Sequence, residues 1–378
     1  MACLIDFSKA FNRQNHNILI TKLSDMGVPA WLLKIVMSFL EERTMVVRYQ
    51  GATSSPRSLP GGGPQGTLLG LLLFLILIND CGFVHDNPAI GKTITQKKKK
   101  FQSPTLHTKY VDDLTILEAI NLKEALIPNP ARTLPDTYHA RLGLKLDPSK
   151  SKVYDQIGKT LTYASDNEMK LNSKKCKFML FNPTKSFDFV PELELEGKPI
   201  ETLEEMKLLG LTLRNDLKWK SNTHEMLVKS YKKLWMIKRL KQHGANLDDL
   251  TDIFIKHARS ILEFGAPVWT SGLTKVESEE IERVQKSFLH IALGENYCNY
   301  EDALKTTNLE SLEVRRILLC TKFAKKSAQH PKHKTWFQPN KVISSTRSAK
   351  PELKIPLHRL TRFRDSPVPF LTKLLNIR

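Results

Sequence analysis

Residues 106 to 117 read LHTKYVDDLTIL, and this stretch decides which fold the chain can adopt. Two short apolar arms flank Asp112 and Asp113, a pattern that predicts a β-hairpin with carboxylates at its turn. Another acid, Asp6, ends the apolar run ACLID near the start. A buried carboxylate is costly unless a cation compensates its charge. Asp is also a common turn residue, so these acids taken alone fit an ordinary strand end and an ordinary turn.

Carboxylates from separate strands are what phosphoryl transfer from a nucleoside triphosphate requires. Two divalent ions about 3.5–4 Å apart stabilise the attacking and leaving oxygens, and carboxylates hold the ions. Magnesium suits oxygen ligands of this kind. The three acids therefore form a candidate metal site if the fold brings them together.

The segments around the first acid predict helices packed on a sheet. Apolar residues recur at helical spacing from His16 to Leu40, and Gly27-Val28-Pro29 divides them into two helices. Residues 44–50 (TMVVRYQ) predict a strand and residues 51–64 a loop. The longest apolar run, Leu68–Ile78, has 11 residues. A membrane-spanning helix needs roughly 20, so we interpret this run as a core element.

The second half changes from strand patterns to helical ones. Residues 175–183 (KCKFMLFNP) predict a strand and residues 206–219 a hairpin. Three amphipathic helices follow, which places a boundary between a sheet domain and a helical domain near residue 216. Their apolar positions are Leu227, Tyr231, Leu234 and Trp235, then Leu250, Ile253, Phe254, His257 and Ile261, then Ile281, Val284, Phe288 and Ile291.

Charge and cysteine content narrow the class of protein. Lys and Arg total 58 against 39 Asp and Glu, a net charge of +19, which favours a polyanionic partner such as nucleic acid or an acidic membrane surface. From residue 321 onward there are 14 basic residues against Glu352 and Asp365, as in a phosphate-contacting surface or a solvated tail. The five cysteines include no C-x-x-C pair, and no secretion signal starts the chain. We expect an intracellular protein of the nucleus or cytoplasm, without a membrane partner.

Five ordered motifs carry a family resemblance. They are DFSKAF at 6–11, LPGGGPQGTLLG at 59–70, YVDD at 110–113, LNSKKCKFMLF at 171–181 and LLGLTLRNDLKW at 208–219. In this order they resemble the palm motifs of reverse transcriptases from non-LTR retrotransposons, most like the jockey type. RSILEFGAPVWTSGLT (259–274) and ERVQKSFLHIALG (282–294) look like that family's thumb and post-thumb region.

The resemblance implies an α+β fold. An antiparallel palm sheet with packed helices would span residues 1–215, an all-α thumb 216–300 and a basic C-terminal region 301–378. The implied activity is RNA-directed DNA polymerisation with an RNA template, a DNA primer and deoxynucleoside triphosphates.

The resemblance also implies a role for each residue that matches a position of the family's motifs. Asp6 and Asp112 would bridge two Mg²⁺ ions, with Mn²⁺ as a substitute, and Asp113 would support them. Phe11 matches the aromatic position under the sugar of the incoming nucleotide, although its spacing also fits a core phenylalanine. Gln65 and Gly66 match the Gln-Gly that approaches nucleotide and template, or else a flexible loop.

The resemblance further implies residues for proton transfer and for nucleic-acid binding. Lys175 or Lys177 would protonate the departing pyrophosphate, and the sequence does not decide which; a solvated strand edge fits both. The stretch Leu209-Gly210 to Trp219 resembles the hairpin that grips the primer. The thumb lysines, among them Lys232 and Lys233, would touch phosphates of an RNA–DNA hybrid, or else line a solvated helix face.

The sequence also departs from the family pattern. Fingers normally precede the first Asp-bearing strand, so we expect an N-terminally truncated enzyme with impaired activity. Asn12 stands where an acid is usual, Gly62-Gly63 where one bulky residue is usual, and Leu71 where a proline is usual.

Other hypotheses remain beside the polymerase. One is a non-catalytic nucleic-acid-binding remnant, and another is a basic protein that binds membranes or partner helices. A zinc site could be assembled from His330, His333, Cys298 and Cys320, but their spacing fits no zinc knuckle.

Overall fold

The computed structural model describes residues 1–81, 105–110, 113–119, 126–128, 144–181, 193–340, 352–357 and 361–377. Asp112, the Lys97–Lys100 run and the other residues between these ranges lie outside the described part. The described chain divides into two compact units, one ending at Glu204 and the other starting at Glu205.

A five-stranded sheet organises the first unit. Its strand order is β13-β10-β1-β7-β6. The strands of this unit are β1 (Ala2–Asp6), β2 (Thr44–Met45), β3 (Arg48–Tyr49), β4 (Ala52–Thr53), β5 (Arg57–Ser58), β6 (Thr105–Tyr110), β7 (Asp113–Glu118), β8 (Leu126–Pro128), β9 (Leu144–Leu146), β10 (Lys177–Met179), β11 (Glu194–Leu195), β12 (Lys198–Pro199) and β13 (Glu201–Thr202).

The first strand lies between antiparallel neighbours, with Cys3 opposite Ile116 of β7 on one side and Phe178 of β10 on the other. β6 and β7 pair antiparallel with Tyr110 opposite Asp113, which confirms the predicted acid-bearing hairpin. Cys3 and Ile5 are buried on one face of β1. Leu4 and Asp6 share its other face, since strand side chains alternate.

Helices cover the sheet. They are α1 (His16–Asp25), α2 (Ala30–Leu40), α3 (Leu68–Ile78) and α4 (Lys152–Asp166), with 3₁₀ turns at Ala10–Arg13 and Pro148–Lys150. Side-chain N-caps from Asn15, Thr67 and Ser151 begin three of them. The two helices predicted between residues 16 and 40 are therefore confirmed.

Two predicted elements of this unit need correction. Residues 44–50 contain two separate two-residue strands, which pair with β5 and β4 inside the segment interpreted as a loop. The apolar run Leu68–Ile78 forms a helix that is buried on one face only. Leu68 and Leu72 on the other face are 90% and 53% exposed.

The second unit begins with the predicted hairpin and continues as helices. Its elements are β14 (Glu205–Leu208), β15 (Leu211–Arg214), α5 (Lys220–Gln242), α6 (Leu247–Ile253), a π-helical segment (Phe254–Arg259), α7 (Ser260–Glu263), α8 (Ala266–Trp269), α9 (Lys275–Leu293), α10 (Tyr300–Thr306), α11 (Leu312–Gln329), α12 (Thr361–Arg364) and α13 (Pro367–Asn376). Short 3₁₀ turns lie at Thr270–Gly272, Gly294–Asn296 and Lys334–Trp336.

Aromatic packing forms the core of this unit. Phe254 and Phe288 stack with centroids 4.1 Å apart, and Trp269 is fully buried with its indole N–H donated to the Phe264 carbonyl oxygen at 2.8 Å. A capping box at Thr274 and Glu277 begins α9. The three helical segments predicted after Trp219 are therefore present.

Where it is described, the basic region from residue 321 onward contains packed helices rather than only a solvated tail. Helices α11 and α13 pack together, and Cys320, Ala324, Phe337 and Leu371 are buried in a small apolar cluster. Within the described ranges, the helices are all too short or too polar to span a bilayer.

Candidate functional site

The acid at the end of β1 lies beside the acid hairpin. In the β1–β7 pairing, the Cα of Asp6 is directly opposite the Cα of Asp113, the first residue of β7. Directly opposed residues of antiparallel strands point to the same face, and like charges there repel each other. The side chain of Asp113 and the whole of Asp112 lie outside the described residues. The register therefore brings positions 6 and 113 together.

The Asp6 carboxylate has an unsatisfied oxygen. Its Oδ2 is buried and has no hydrogen-bond partner, although the side chain as a whole is 22% exposed. The Lys175 ammonium nitrogen lies 3.7 Å from this oxygen. An orphaned carboxylate oxygen is costly, and a bound cation would satisfy it.

A cleft of about 270 Å³ opens at this carboxylate. Its lining consists of Leu4, Ile5, Asp6, Leu114, Lys174, Lys175 and Lys177. Lys174 and Lys175 beside one carboxylate make the cleft attractive to an anion such as a phosphate, while the Lys177 ammonium group pairs with Glu201.

The segment after α4 is bound to the backbone of Asp6. The Asn172 amide donates to the Asp6 carbonyl oxygen at 2.8 Å, and the Asp6 amide donates to the Cys176 thiol sulfur at 3.5 Å. The amides of Lys175 and Cys176 both donate to the Asn172 carbonyl oxygen, which closes a tight turn. This turn sets the position of Lys175 relative to Asp6.

The two candidate lysines differ in their partners. Lys177 forms an ion pair with Glu201 of β13, whereas Lys175 reaches Asp6 and its side chain is 70% exposed. Burial raises the pKa of the intervening Cys176 thiol, so this cysteine is not a reactive thiolate. Both lysines line the cleft, but only the ammonium group of Lys175 lies near the Asp6 carboxylate.

Two hydrogen bonds join the turn that contains Phe11 to the loop that contains Gln65 and Gly66. The Gly63 amide donates to the Phe11 carbonyl oxygen at 2.7 Å, and the Gln65 side-chain nitrogen donates to the Asn12 amide oxygen at 3.3 Å. The Phe11 ring stacks on Phe74 of α3 with centroids 4.3 Å apart, so the core interpretation accounts for its packing.

Two departures from the family pattern have a structural reason. Gly62 has a φ of +82°, and a Cβ there would lie 3.0 Å from the Asn12 Cα. A Cβ on Gly63 would meet the Gln14 side-chain oxygen at 2.5 Å. The loop at Gly61–Pro64 lies so close to the turn after β1 that a bulky residue would not fit.

The described residues contain no cluster of three or more His, Cys, Asp or Glu side chains that could hold a metal. The carboxylates of Asp112 and Asp113 lie outside those residues. The zinc hypothesis gains no support from the described residues, because Cys320 is buried in the apolar cluster and the rings of His330 and His333 lie against each other, with their planes tilted by 33°.

The hairpin of the second unit has a strained tip. Leu209 and Gly210 both have positive φ, +48° and +87°, as a two-residue type I′ turn requires. Leu209 is 51% exposed, and a Cβ on Gly210 would lie 3.0 Å from the Phe264 ring. The Leu-Gly pair therefore presents an exposed leucine at a fixed turn.

Polar side chains of α5 hold this hairpin. Asn222 accepts the Thr212 amide at 3.1 Å, and Glu225 accepts the Thr212 hydroxyl at 2.7 Å. Lys207 and Lys229 each lie 3.2 Å from Glu225. The Thr212 hydrogen bond, with help from the two lysines, lowers the Glu225 pKa to about 2.

The apolar pattern of α5 was right at Leu234, which is buried, and at Leu227, which packs on the helical core, but it was wrong at two other positions. Tyr231 and Trp235, expected in the core, are 43% and 68% exposed, while Ser230 is fully buried. Val228, Tyr231, Lys232, Trp235 and Arg239 follow one another at helical spacing, and the Arg239 guanidinium lies over the Trp235 ring at 5.9 Å. We call these five residues the α5 stripe; sequence reasoning assigned only its basic members to nucleic acid.

The other nucleic-acid candidates differ in exposure. Lys232 is exposed and Lys233 is half-buried. Trp219 precedes α5 and packs on the helical core, where a Cβ on Gly272 would touch its ring at 2.7 Å. Core packing is thus enough to explain this tryptophan.

The motifs, the sheet register and a family match agree on the class of protein. Residues 1–213 match the family described as reverse transcriptase (RNA-dependent DNA polymerase), and the chain belongs to that family. Its curated relatives are of the jockey-like, non-LTR retrotransposon kind.

Two of these relatives come from Drosophila melanogaster. A probable RNA-directed DNA polymerase from transposon BS is 23% identical over 273 residues, which is 72% of this chain and 26% of that protein. The RNA-directed DNA polymerase from mobile element jockey is 27% identical over 218 residues, 57% of this chain and 20% of that protein. The chain thus spans about a quarter or less of the length of these relatives.

A solved structure is also similar. It is telomerase from Candida albicans in complex with a TWJ fragment of telomeric RNA, with 12% identity and a TM-score of 0.32. The match covers 85% of this chain and 47% of that one.

Proposed function

We propose that this chain carries the polymerase centre of an RNA-directed DNA polymerase, which joins deoxynucleotides to a DNA primer on an RNA template. The observation that carries the proposal is the pairing of Asp6 with position 113 across two strands, beside an orphaned carboxylate oxygen. Asp112 precedes position 113 in the sequence, which supports its place in the same cluster.

The residues fit a divalent metal. The unsatisfied carboxylate oxygen of Asp6 is a hard oxygen donor, the kind that Mg²⁺ prefers, and the strand register puts the Cα of Asp113 opposite that of Asp6. Asp6, Asp112 and Asp113 would hold two Mg²⁺ ions, or Mn²⁺ in their place. When bound, such ions stabilise charge on the attacking and leaving oxygens.

The other side chains would orient substrate and move a proton. Lys175 at the cleft is placed to give its proton to the departing pyrophosphate, whereas Lys177 is occupied by Glu201. Phe11, Gln65 and Gly66 would border the nucleotide. Two hydrogen bonds support this role, because they join the segment after β1 to the loop that contains Gln65 and Gly66.

Primer and template would be held by the second unit. The exposed Leu209-Gly210 tip suits contact with a primer strand, and the α5 stripe with Lys232 and Lys233 suits phosphates and sugars of a hybrid. In this proposal, residues 1–215 act as palm, 216–300 as thumb and 301–378 as a basic extension.

Primer extension on an RNA template with Mg²⁺ tests the activity. The chain should extend the primer, and Asp6→Asn or the double variant Asp112→Asn, Asp113→Asn should lose at least about a thousandfold in rate, as with removal of a central electrostatic group. Asp25→Asn, an exposed acid at the end of α1, is the matched control. Equal extension by the wild type and the double variant would reject the assignment.

Thermal unfolding tests the metal site without turnover. Mg²⁺ should raise the melting temperature of the wild type and of Asp25→Asn, because a ligand that binds only the folded state stabilises it. Asp6→Asn should lose this gain. An identical Mg²⁺ response in Asp6→Asn would remove Asp6 from the ligand set.

A second candidate is a nucleic-acid-binding protein without catalysis. The α5 stripe favours it, because exposed aromatic and basic side chains on one helix face need no metal to bind nucleic acid. Salt-sensitive hybrid binding combined with no primer extension would select this candidate.

A further inference from the structure

A regular three-residue spacing follows the end of α11. His330, His333 and Trp336 occupy it, and the His333 amide donates to the His330 carbonyl oxygen at 3.0 Å, then the Trp336 amide to the His333 carbonyl oxygen at 2.9 Å. Bonds of this type wind the chain at about three residues per turn, which places every third side chain in line. The backbone therefore aligns the three rings.

The rings form a column. The rings of His333 and Trp336 stack with centroids 4.4 Å apart and planes within 14°, and the ring of His330 follows with its centroid 4.8 Å from that of His333 and its plane tilted by 33°. At the inner end, Trp336 meets Phe337, which is 5% exposed in the apolar cluster. At the outer end His330 is exposed, and its Nδ1 accepts the Lys332 amide at 3.3 Å, which orients the ring. The column thus joins the core to an open aromatic face.

Basic residues surround this face. Lys322, Lys326 and Lys332 are exposed, and no Asp or Glu occurs in the sequence between Glu313 and Glu352. Lys326 stands four residues before His330 and three after Phe323, whose ring is 37% exposed. Helical neighbours at these spacings share a face, so ammonium groups alternate with aromatic rings.

We propose that this aromatic column, His330, His333 and Trp336 with Lys322, Lys326 and Lys332, is a binding site for single-stranded nucleic acid. An unpaired base stacks on the open face of His330, and the lysines contact the phosphates on either side of it. A duplex does not fit, because its bases are already stacked on both faces. The site needs neither the carboxylates nor the metal of the proposed polymerase centre.

Fluorescence anisotropy with the full chain tests the site. The probes are a labelled oligoadenylate of roughly 12 nucleotides and an abasic strand with the same number of phosphates. The wild type should bind oligoadenylate more tightly than the abasic strand. His330→Ala should weaken oligoadenylate binding by about five- to a hundredfold and leave abasic binding unchanged. His330→Phe keeps an aromatic face and should retain the preference.

Controls separate stacking from charge and from folding. The double variant Lys322→Gln, Lys326→Gln should weaken both probes alike. His290→Ala removes another exposed histidine, which stacks on Tyr297 at 3.6 Å outside the column, and should bind both probes as the wild type does. Asp6→Asn should also bind oligoadenylate more tightly than the abasic strand. The binding test can therefore succeed even if the polymerase proposal is wrong.

Equal wild-type affinity for both probes, or an unchanged preference in His330→Ala, would overturn the proposal. A 4-thiouridine strand provides a second readout that does not depend on variant folding. Cross-links should map to the peptide that contains His330 to Trp336, and cross-links confined to other peptides would also overturn it.

Discussion

At the residue scale, Leu209 shows the sharpest conflict between side chain and backbone. Its φ of +48° lies in the left-handed region, which costs an L-residue with a Cβ roughly 1–2 kcal/mol. The adjacent Gly210 tolerates its φ of +87° at no such cost. Asparagine would adopt this conformation at a lower cost than leucine. We therefore infer that the exposed Leu209 side chain makes a functional contact, which in the proposed function is with nucleic acid.

Leu209→Asn should therefore raise the free energy of unfolding by about 1 kcal/mol while it weakens hybrid binding. Urea denaturation measures the first effect and anisotropy with an RNA–DNA hybrid the second. Leu357→Asn, which is 86% exposed and outside any helix or strand, is the matched control and should change neither. A Leu209→Asn protein with wild-type hybrid affinity would remove this tip from the binding surface.

The sequence was enough to name Asp6 as a candidate metal ligand, but it did not show which residues surround it. The sequence places an acid after an apolar run, which describes many strand ends. The pairing register adds that position 113 stands directly across from it, and the packing adds that one of its oxygens is unsatisfied. The Cys176 contact to the Asp6 amide carried no recognisable sequence signal.

At the scale of elements, the hairpin β14–β15 and helix α5 act as one piece through Glu225. The carboxylate accepts the Thr212 hydroxyl and lies close to Lys207 and Lys229. These partners favour its ionised form, so its folded pKa of about 2 lies below the ordinary 4.5. Because its side chain is 39% exposed, solvent screens much of this interaction.

The sign of the pH dependence follows from that depressed pKa. Glu225 contributes its stabilisation fully above pH 4.5, and the contribution is lost as pH falls from 4.5 to about 2. The melting temperature of the wild type should therefore exceed that of Glu225→Gln at pH 6 and approach it near pH 2.5. Glu279→Gln, an exposed acid in α9, serves as control. A difference that stays constant across this range would mean that the carboxylate charge does not stabilise the hairpin.

Helix α5 also shows why periodicity misassigned two of its four apolar positions. Its buried side includes Asn222, Thr223 and Ser230, and its exposed side includes Tyr231 and Trp235. Leu234 is buried as the spacing predicted, but small polar residues share its face, so apolar spacing alone did not give the full extent of the buried side.

At the scale of the whole molecule, the net charge of +19 should dominate affinity for nucleic acid. Each phosphate neutralised by Lys or Arg releases counterions, so the affinity falls with salt. Single-strand binding should weaken by about tenfold or more between 50 and 200 mM salt, as expected for roughly three phosphate contacts. Anisotropy titrations at several salt concentrations measure the slope. An affinity that does not change with salt would contradict a phosphate-based surface.

The sequence by itself determined the family, the acid-bearing hairpin, the first two helices and the change from sheet to helix. These features rest on local patterns: motif wording, period-two or helical spacing, and turn residues. Only the tertiary structure decided that Asp6 lies opposite position 113, that Lys175 lies near Asp6 whereas Lys177 pairs with Glu201, and that Tyr231 and Trp235 are exposed. Strand register and the choice of buried face depend on contacts between segments far apart in the chain, and no local pattern records those contacts.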